Sequence, residues 1–221
     1  MNQLNVQRGA ASVIEINKVL RNTYLLLGMT LLFSALTAGL AIFTQATPLN
    51  PILAIVGMYG LLFLTQAMRN SALGLVCTFA FTGFMGYIMG PLLSYYLTAF
   101  SNGSELIMTA LGATGIIFFA LSGYVMTSRK DFSYLSGFLF VGIIVAFLAM
   151  IASFFLAIPG LQLAVSAAFA LISSGLILFQ TSAIIHGGER NYIMATITLY
   201  VSIYNLFLSL LNLFAAFSGR D

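Results

Sequence analysis

Seven long apolar runs, separated by short polar breaks, occupy most of the chain. They cover about residues 24–43, 51–67, 73–97, 105–126, 134–157, 161–185 and 192–217. Each is close to or above the roughly 20 residues needed to cross a 30 Å hydrocarbon layer at 1.5 Å per residue. The runs are too long and too uniform for the alternating strands of a membrane barrel. In lipid every backbone polar group needs an internal partner, which a helix supplies within one segment. The pattern therefore predicts an all-α polytopic membrane protein with seven transmembrane helices.

The breaks carry their own signals. Thr44 to Asn50 is a polar turn containing Pro48, and Pro51 suits the first turn of the second helix. Arg69-Asn70-Ser71 ends that helix. Gly90-Pro91 interrupts the third run, where a proline is expected to kink or break the helix. Ser101-Asn102-Gly103-Ser104 is a loop, Pro159-Gly160 a tight turn, and His186 to Asn191 the last loop. Upstream of the first run, Ser12-Val13-Ile14-Glu15 reads as a capping box opening a short helix. Lys18 and Arg21 follow where long side chains can snorkel to headgroups. The segment is polar up to Arg21 and lacks the form of a cleavable signal. The organisation expected is a cytoplasmic tail over 1–23, a membrane domain over 24–217 and a short tail over 218–221.

Composition sharpens this picture. The chain is 61% hydrophobic and 6% charged, with a mean hydropathy of +1.05. A soluble domain carries about 25% charged residues. The net charge of +3 rests on eight basic residues. Beyond Arg129-Lys130 they form no cluster that could track a phosphate backbone, so nucleic acid is not an expected partner. Membrane lipid is. Arg8, Lys18, Arg21, Arg69, Arg129, Lys130 and Arg190 fall on one side of the seven spans and only Arg220 on the other. The positive-inside rule then places the N-terminus in the cytoplasm and the C-terminus outside. Tyr24, Tyr95, Tyr96, Tyr124, Tyr134 and Tyr192 stand near span ends, as in an aromatic belt.

No charged residue sits at the middle of a span, so the paired charges that usually mark an intramembrane ion path are missing. Neutral polar residues form a seam instead. On the seventh run Thr198, Ser202, Asn205, Ser209 and Asn212 recur at steps of four and three, which puts them on one helix face. On the sixth, Ser166, Ser173 and Gln180 recur every seven residues. Two readings fit: interhelical glue, worth about 0.6 kcal/mol per contact, or the lining of a wet pathway. Gly83, Gly86 and Gly90 before Pro91 fit either close helix packing or a hinge at Gly90-Pro91.

His186 is of the type that gains a proton near physiological pH. Beside Glu189 it fits either a sensor or an ordinary solvated loop histidine. The single cysteine, Cys77, can form neither an internal disulfide nor a metal cluster and reads as a small hydrophobe. Gly187-Gly188 lacks the rest of a phosphate loop. The five acids have no metal-ligand spacing. Neither a cofactor nor a catalytic role is expected.

Gly86-Tyr87-Ile88-Met89-Gly90-Pro91-Leu92-Leu93, followed by Thr127-Ser128-Arg129-Lys130-Asp131-Phe132-Ser133, resembles the signature region of the Bax inhibitor family. Arg21-Asn22-Thr23-Tyr24, Val56-Gly57-Met58-Tyr59-Gly60, Ile185-His186-Gly187-Gly188-Glu189 and Leu199-Tyr200-Val201-Ser202-Ile203-Tyr204-Asn205 look closest to its bacterial YccA-like branch. The resemblance covers nearly the whole chain. It implies seven helices with the last surrounded by the other six. It also implies an inner-membrane protein that is a substrate and modulator of the ATP-dependent protease FtsH, with residues 1–18 as the handle for degradation.

Other members of the family conduct a pH-sensitive calcium leak. They use paired aspartates on the last two helices and an arginine latch near the end of the second, here matched by Arg69. The aspartate positions correspond to Gln180 in Leu178-Phe179-Gln180-Thr181 and to Ser202 in Tyr200-Val201-Ser202-Ile203. An amide and a hydroxyl can hydrogen bond, but they cannot share a titrating proton or pair ionically with Arg69. The resemblance thus leaves two functions open: a partner of the FtsH complex, or a leak for calcium or another cation with weakened or absent acid-pair gating.

Overall fold

The computed structural model describes residues 2–156, 158 and 160–218, with side chains from residue 14 onward in those ranges except at 154. Among the described residues all regular structure is helical: α1 (Asn2–Phe43), α2 (Pro51–Met68), α3 (Ala72–Ala99), α4 (Gly103–Ser128), α5 (Leu135–Phe155), α6 (Leu161–Ile185) and α7 (Tyr192–Ser218). All seven are long and apolar enough to cross a membrane, and the chain is a seven-span membrane protein. α7 is the most enclosed, with 61% of its apolar stretch buried against 44% or less in each of the others.

The helix ends follow local chemistry. The Asn50 side chain accepts from the Ile52 amide at 2.9 Å, and Pro51 stands in the first turn of α2, where its missing N–H costs nothing. α6 closes in a Schellman motif: the Gly188 amide donates to the Ala183 carbonyl at 2.8 Å and the Gly187 amide to Ile184 at 3.2 Å. Gly187, at φ +73°, supplies the left-handed residue this cap requires. The glycine pair is therefore a helix stop.

Two expectations about helix continuity are corrected. The short helix expected from Ser12 is part of α1, whose backbone is helical from Asn2. The Ser12 and Arg8 side chains lie outside the described residues, as do Pro159 and the tail from 219, with Arg220. With 42 residues α1 is about 63 Å long, roughly twice the hydrocarbon thickness, so one unbroken helix accommodates the polar leading segment and the first span. The break expected at Gly90-Pro91 is also absent, since α3 runs through Pro91. Proline removes one helical hydrogen bond, and the packing on either side holds the helix together across it.

The chain divides into two compact units: Met1–Ser94 with Ala183–Tyr200, and Tyr95–Ser182 with Val201–Asp221. In the first unit α3 lies against α1 through its glycines. A methyl group at Gly86 would collide with the Ser34 carbonyl and the Thr37 hydroxyl, and one at Gly90 with the Ala41 methyl. One at Gly83 would come within 2.6 Å of the Phe33 ring. Small residues here let two backbones approach closely. In the second unit α5 packs on α6 through Leu139, Ala146 and Ile172, all buried, with Phe169, Leu176 and Phe179 alongside. Gly175 leaves room for the Leu139 side chain.

Candidate functional site

Polar side chains inside these spans obey one rule. Most hydroxyls bond to a carbonyl of their own helix three or four residues back: Thr30 to Leu27, Thr78 to Gly74, Thr114 to Ala110, Ser166 to Gln162 and Thr198 to Met194. This satisfies the group without a partner helix. Bonds between helices are fewer, and other residues make them. The Tyr200 hydroxyl meets the Ser34 hydroxyl at 2.6 Å and donates to the Thr82 carbonyl at 3.2 Å. Thr196 bonds to the Tyr192 carbonyl of its own helix at 2.7 Å, with the Thr23 carbonyl of α1 a longer second acceptor at 3.3 Å. In the second unit Tyr96 donates to Asn212 Oδ1 at 2.5 Å, and Ser122 faces Thr181 at 3.5 Å.

Half of the sequence-predicted seam converges on one place. Ser166 from α6 and Asn205, Ser209 and Asn212 from α7 line a cavity of about 350 Å³ in the second unit. Ser153 and Met150 of α5 and Gln162, Val165 and Phe169 of α6 complete most of its wall. Gln162, exposed in the first turn of α6, stands at the rim, while Ser166 and Ser209 are buried. No charged side chain lines it. Ser153 and Gln162 had no signal in the heptad spacing, because one lies in the last turn of α5 and the other just before the periodic stripe.

The other seam residues are not among the cavity's lining side chains. Ser173, Gln180 and Ser202 are all buried. The Nε2 of Gln180 has no hydrogen-bond partner among the described residues. An orphaned amide of this kind costs about 1–3 kcal/mol. Thr198 belongs to the other unit and bonds within its own helix. Tyr96 departs from the aromatic-belt reading: it is buried and holds Asn212, whereas Tyr95, Tyr124 and Tyr134 are exposed.

The loop between α6 and α7 forms a second cluster. His186, Glu189 and Arg190 share a cavity of about 180 Å³ with Glu15, Ile16 and Val19 of α1. Glu189 accepts the Asn191 amide at 2.8 Å, and Arg190 donates to the Gly187 carbonyl at 3.3 Å. Asn191, unnoticed in the sequence, organises this end. Its Oδ1 accepts from the Ile193 and Met194 amides at 3.0 and 3.1 Å, which caps α7. Its Nδ2 donates to the Arg69 carbonyl at 3.0 Å and to Asn70 Oδ1 at 2.9 Å. What this contact uses of Arg69, the candidate latch, is its backbone.

The charged break after α4 is held by Ser182 of α6, whose oxygen accepts the Phe132 amide at 2.9 Å. Lys130 lies 5.7 Å from the centre of the Tyr124 ring. A hydrogen bond to Tyr124 holds the ammonium pKa above the ordinary lysine value. Among the described residues no three His, Cys, Asp or Glu side chains gather as a metal site, and Cys77 is a buried free thiol.

The family described as inhibitor of apoptosis-promoting Bax1 matches residues 16–219. An uncharacterized protein of Pseudomonas aeruginosa is 54% identical over 219 residues, covering 99% of this chain and 98% of that one. The modulator of FtsH protease YccA of Escherichia coli K12 is 53% identical over 210 residues, 95% of this chain and 94% of that one. The inner membrane protein YccA of Escherichia coli O6:H1 is 53% identical over the same shares.

Proposed function

The chain belongs to the Bax1-I family of inhibitors of apoptosis-promoting Bax1, and from that membership we propose that it modulates the membrane-bound ATP-dependent protease FtsH. The observation that carries this is the 53% identity, over nearly the full length of both chains, with the Escherichia coli modulator of that protease. The reading makes the chain a binding protein rather than a catalyst, seated in the bacterial inner membrane. The distribution of its basic residues supports a cytoplasmic N-terminus and an external C-terminus. In that orientation residues 1–18 lie on the cytoplasmic side and serve as the handle by which the protease engages the chain.

Co-purification from detergent-solubilised membranes tests the partner. FtsH is expected to be recovered with the tagged full chain, and its absence counts against the proposal. A reporter that is active only outside the cytoplasm, fused after Asp221, tests the orientation; an inactive fusion reverses it.

A further inference from the structure

We propose that the cavity between α5, α6 and α7 of the second unit binds a small neutral polyhydroxyl compound, of the glycerol or monosaccharide class. The cavity measures about 350 Å³, within the range of small-molecule sites. Six neutral polar side chains line it: Ser153, Gln162, Ser166, Asn205, Ser209 and Asn212.

The bonds already made decide what these groups offer. Asn212 Oδ1 is occupied by the Tyr96 hydroxyl, so that residue has its amide hydrogens left to give. Ser153 donates its proton to the Met150 carbonyl at 2.6 Å and Ser166 to the Gln162 carbonyl at 3.0 Å, so both have lone pairs left to share. Gln162 and Asn205 add one donor and one acceptor group each. Donors and acceptors are therefore both on offer around a space whose lining carries no charge.

A dehydrated cation would find amide and hydroxyl oxygens here but no carboxylate to balance its charge, whereas calcium sites combine carbonyl oxygens with Asp or Glu carboxylates. An anion would find no positive charge. Hydroxyl groups both give and accept, so adjacent hydroxyls on one carbon chain match the lining. Val165, Phe169 and Leu208 supply apolar wall for the C–H faces of such a molecule. Free polyol and the glycerol headgroup of a phospholipid share this chemistry.

Saturation-transfer NMR on the full chain in phosphatidylcholine nanodiscs tests the site, with glycerol and glucose as probes. Transfer to at least one probe is expected. Asn205→Leu is expected to abolish it, and Ser209→Ala to weaken binding about fivefold, the loss of one neutral hydrogen bond. The same measurement in phosphatidylglycerol nanodiscs separates the sources. A reduced signal there supports the headgroup as occupant, and an unchanged signal supports free polyol. No transfer to either probe from protein with an intact thermal transition overturns the proposal. So does transfer that is equal in the unaltered chain and in both variants.

Discussion

The hydroxyls of Tyr200 and Ser34 meet at 2.6 Å, 166 residues apart in the chain and both buried. The Tyr200 hydroxyl also lies 3.2 Å from the Thr82 carbonyl, and where its proton goes there, Ser34 is the donor in the shared bond. One side chain of α7 thereby ties α1 to α3 where Gly86 lets those helices close on each other. Tyr200→Phe keeps the ring against Phe81 and removes the hydroxyl that makes this link. It is expected to lower stability by about 1 kcal/mol, as for a buried interhelical bond in a membrane protein. Gly86→Leu, which drives atoms into the Ser34 backbone, is expected to cost more. Thermal unfolding of both in detergent checks the order, and a Tyr200→Phe loss exceeding the Gly86→Leu loss contradicts it.

Asn191 performs two tasks with two atoms, and two substitutions separate them. Asn191→Ala removes the cap of α7 together with the bonds to Arg69 and Asn70, and is expected to destabilise by about 1–2 kcal/mol. Asn191→Asp retains an acceptor for the Ile193 and Met194 amides and should recover most of the loss. Equal losses in the two variants would mean that the donor side, toward Arg69 and Asn70, carries the contribution.

The orphaned amide of Gln180 predicts a gain rather than a loss. Gln180→Leu replaces an unsatisfied buried group with an apolar one of similar size. It is expected to raise stability by up to about 1–3 kcal/mol. A lower melting temperature in the variant would show that Gln180 has a stabilising partner in the membrane.

Much of the fold was legible in the sequence because lipid imposes a strong and simple pattern. The sixth helix has the limits its apolar run predicts, and the second, third, fourth, fifth and seventh differ by two residues or fewer at each end. The break allowed for at Pro91 did not follow, because a proline removes only one helical hydrogen bond and α3 runs on through it. The seam was legible only in part. Spacing found Asn205, Ser209 and Asn212, since a heptad-like period marks one face. Tyr96 and Tyr200 were missed because a tyrosine looks alike whether it floats at the headgroups or donates a bond inside the bundle. Asn191 was hidden in a loop, where nothing in the sequence tells a capping asparagine from a solvated one.

Calcium flux gives a further expectation. Neither Gln180 nor Ser202 titrates, so any flux through reconstituted chain should change less than about twofold between about pH 6 and 8. Gln180→Asp combined with Ser202→Asp is expected to introduce a steep response over that interval. A steep response in the unaltered chain that survives His186→Ala would place a sensor on groups outside those named.

The role in proteolysis is tested most directly by the lifetime of a membrane protein that FtsH degrades, followed after synthesis is stopped in cells overproducing this chain. The account predicts a longer half-life with the full chain and a smaller effect when residues 1–18 are deleted. An unchanged half-life, with the full chain present in the same membranes at high level, would contradict it.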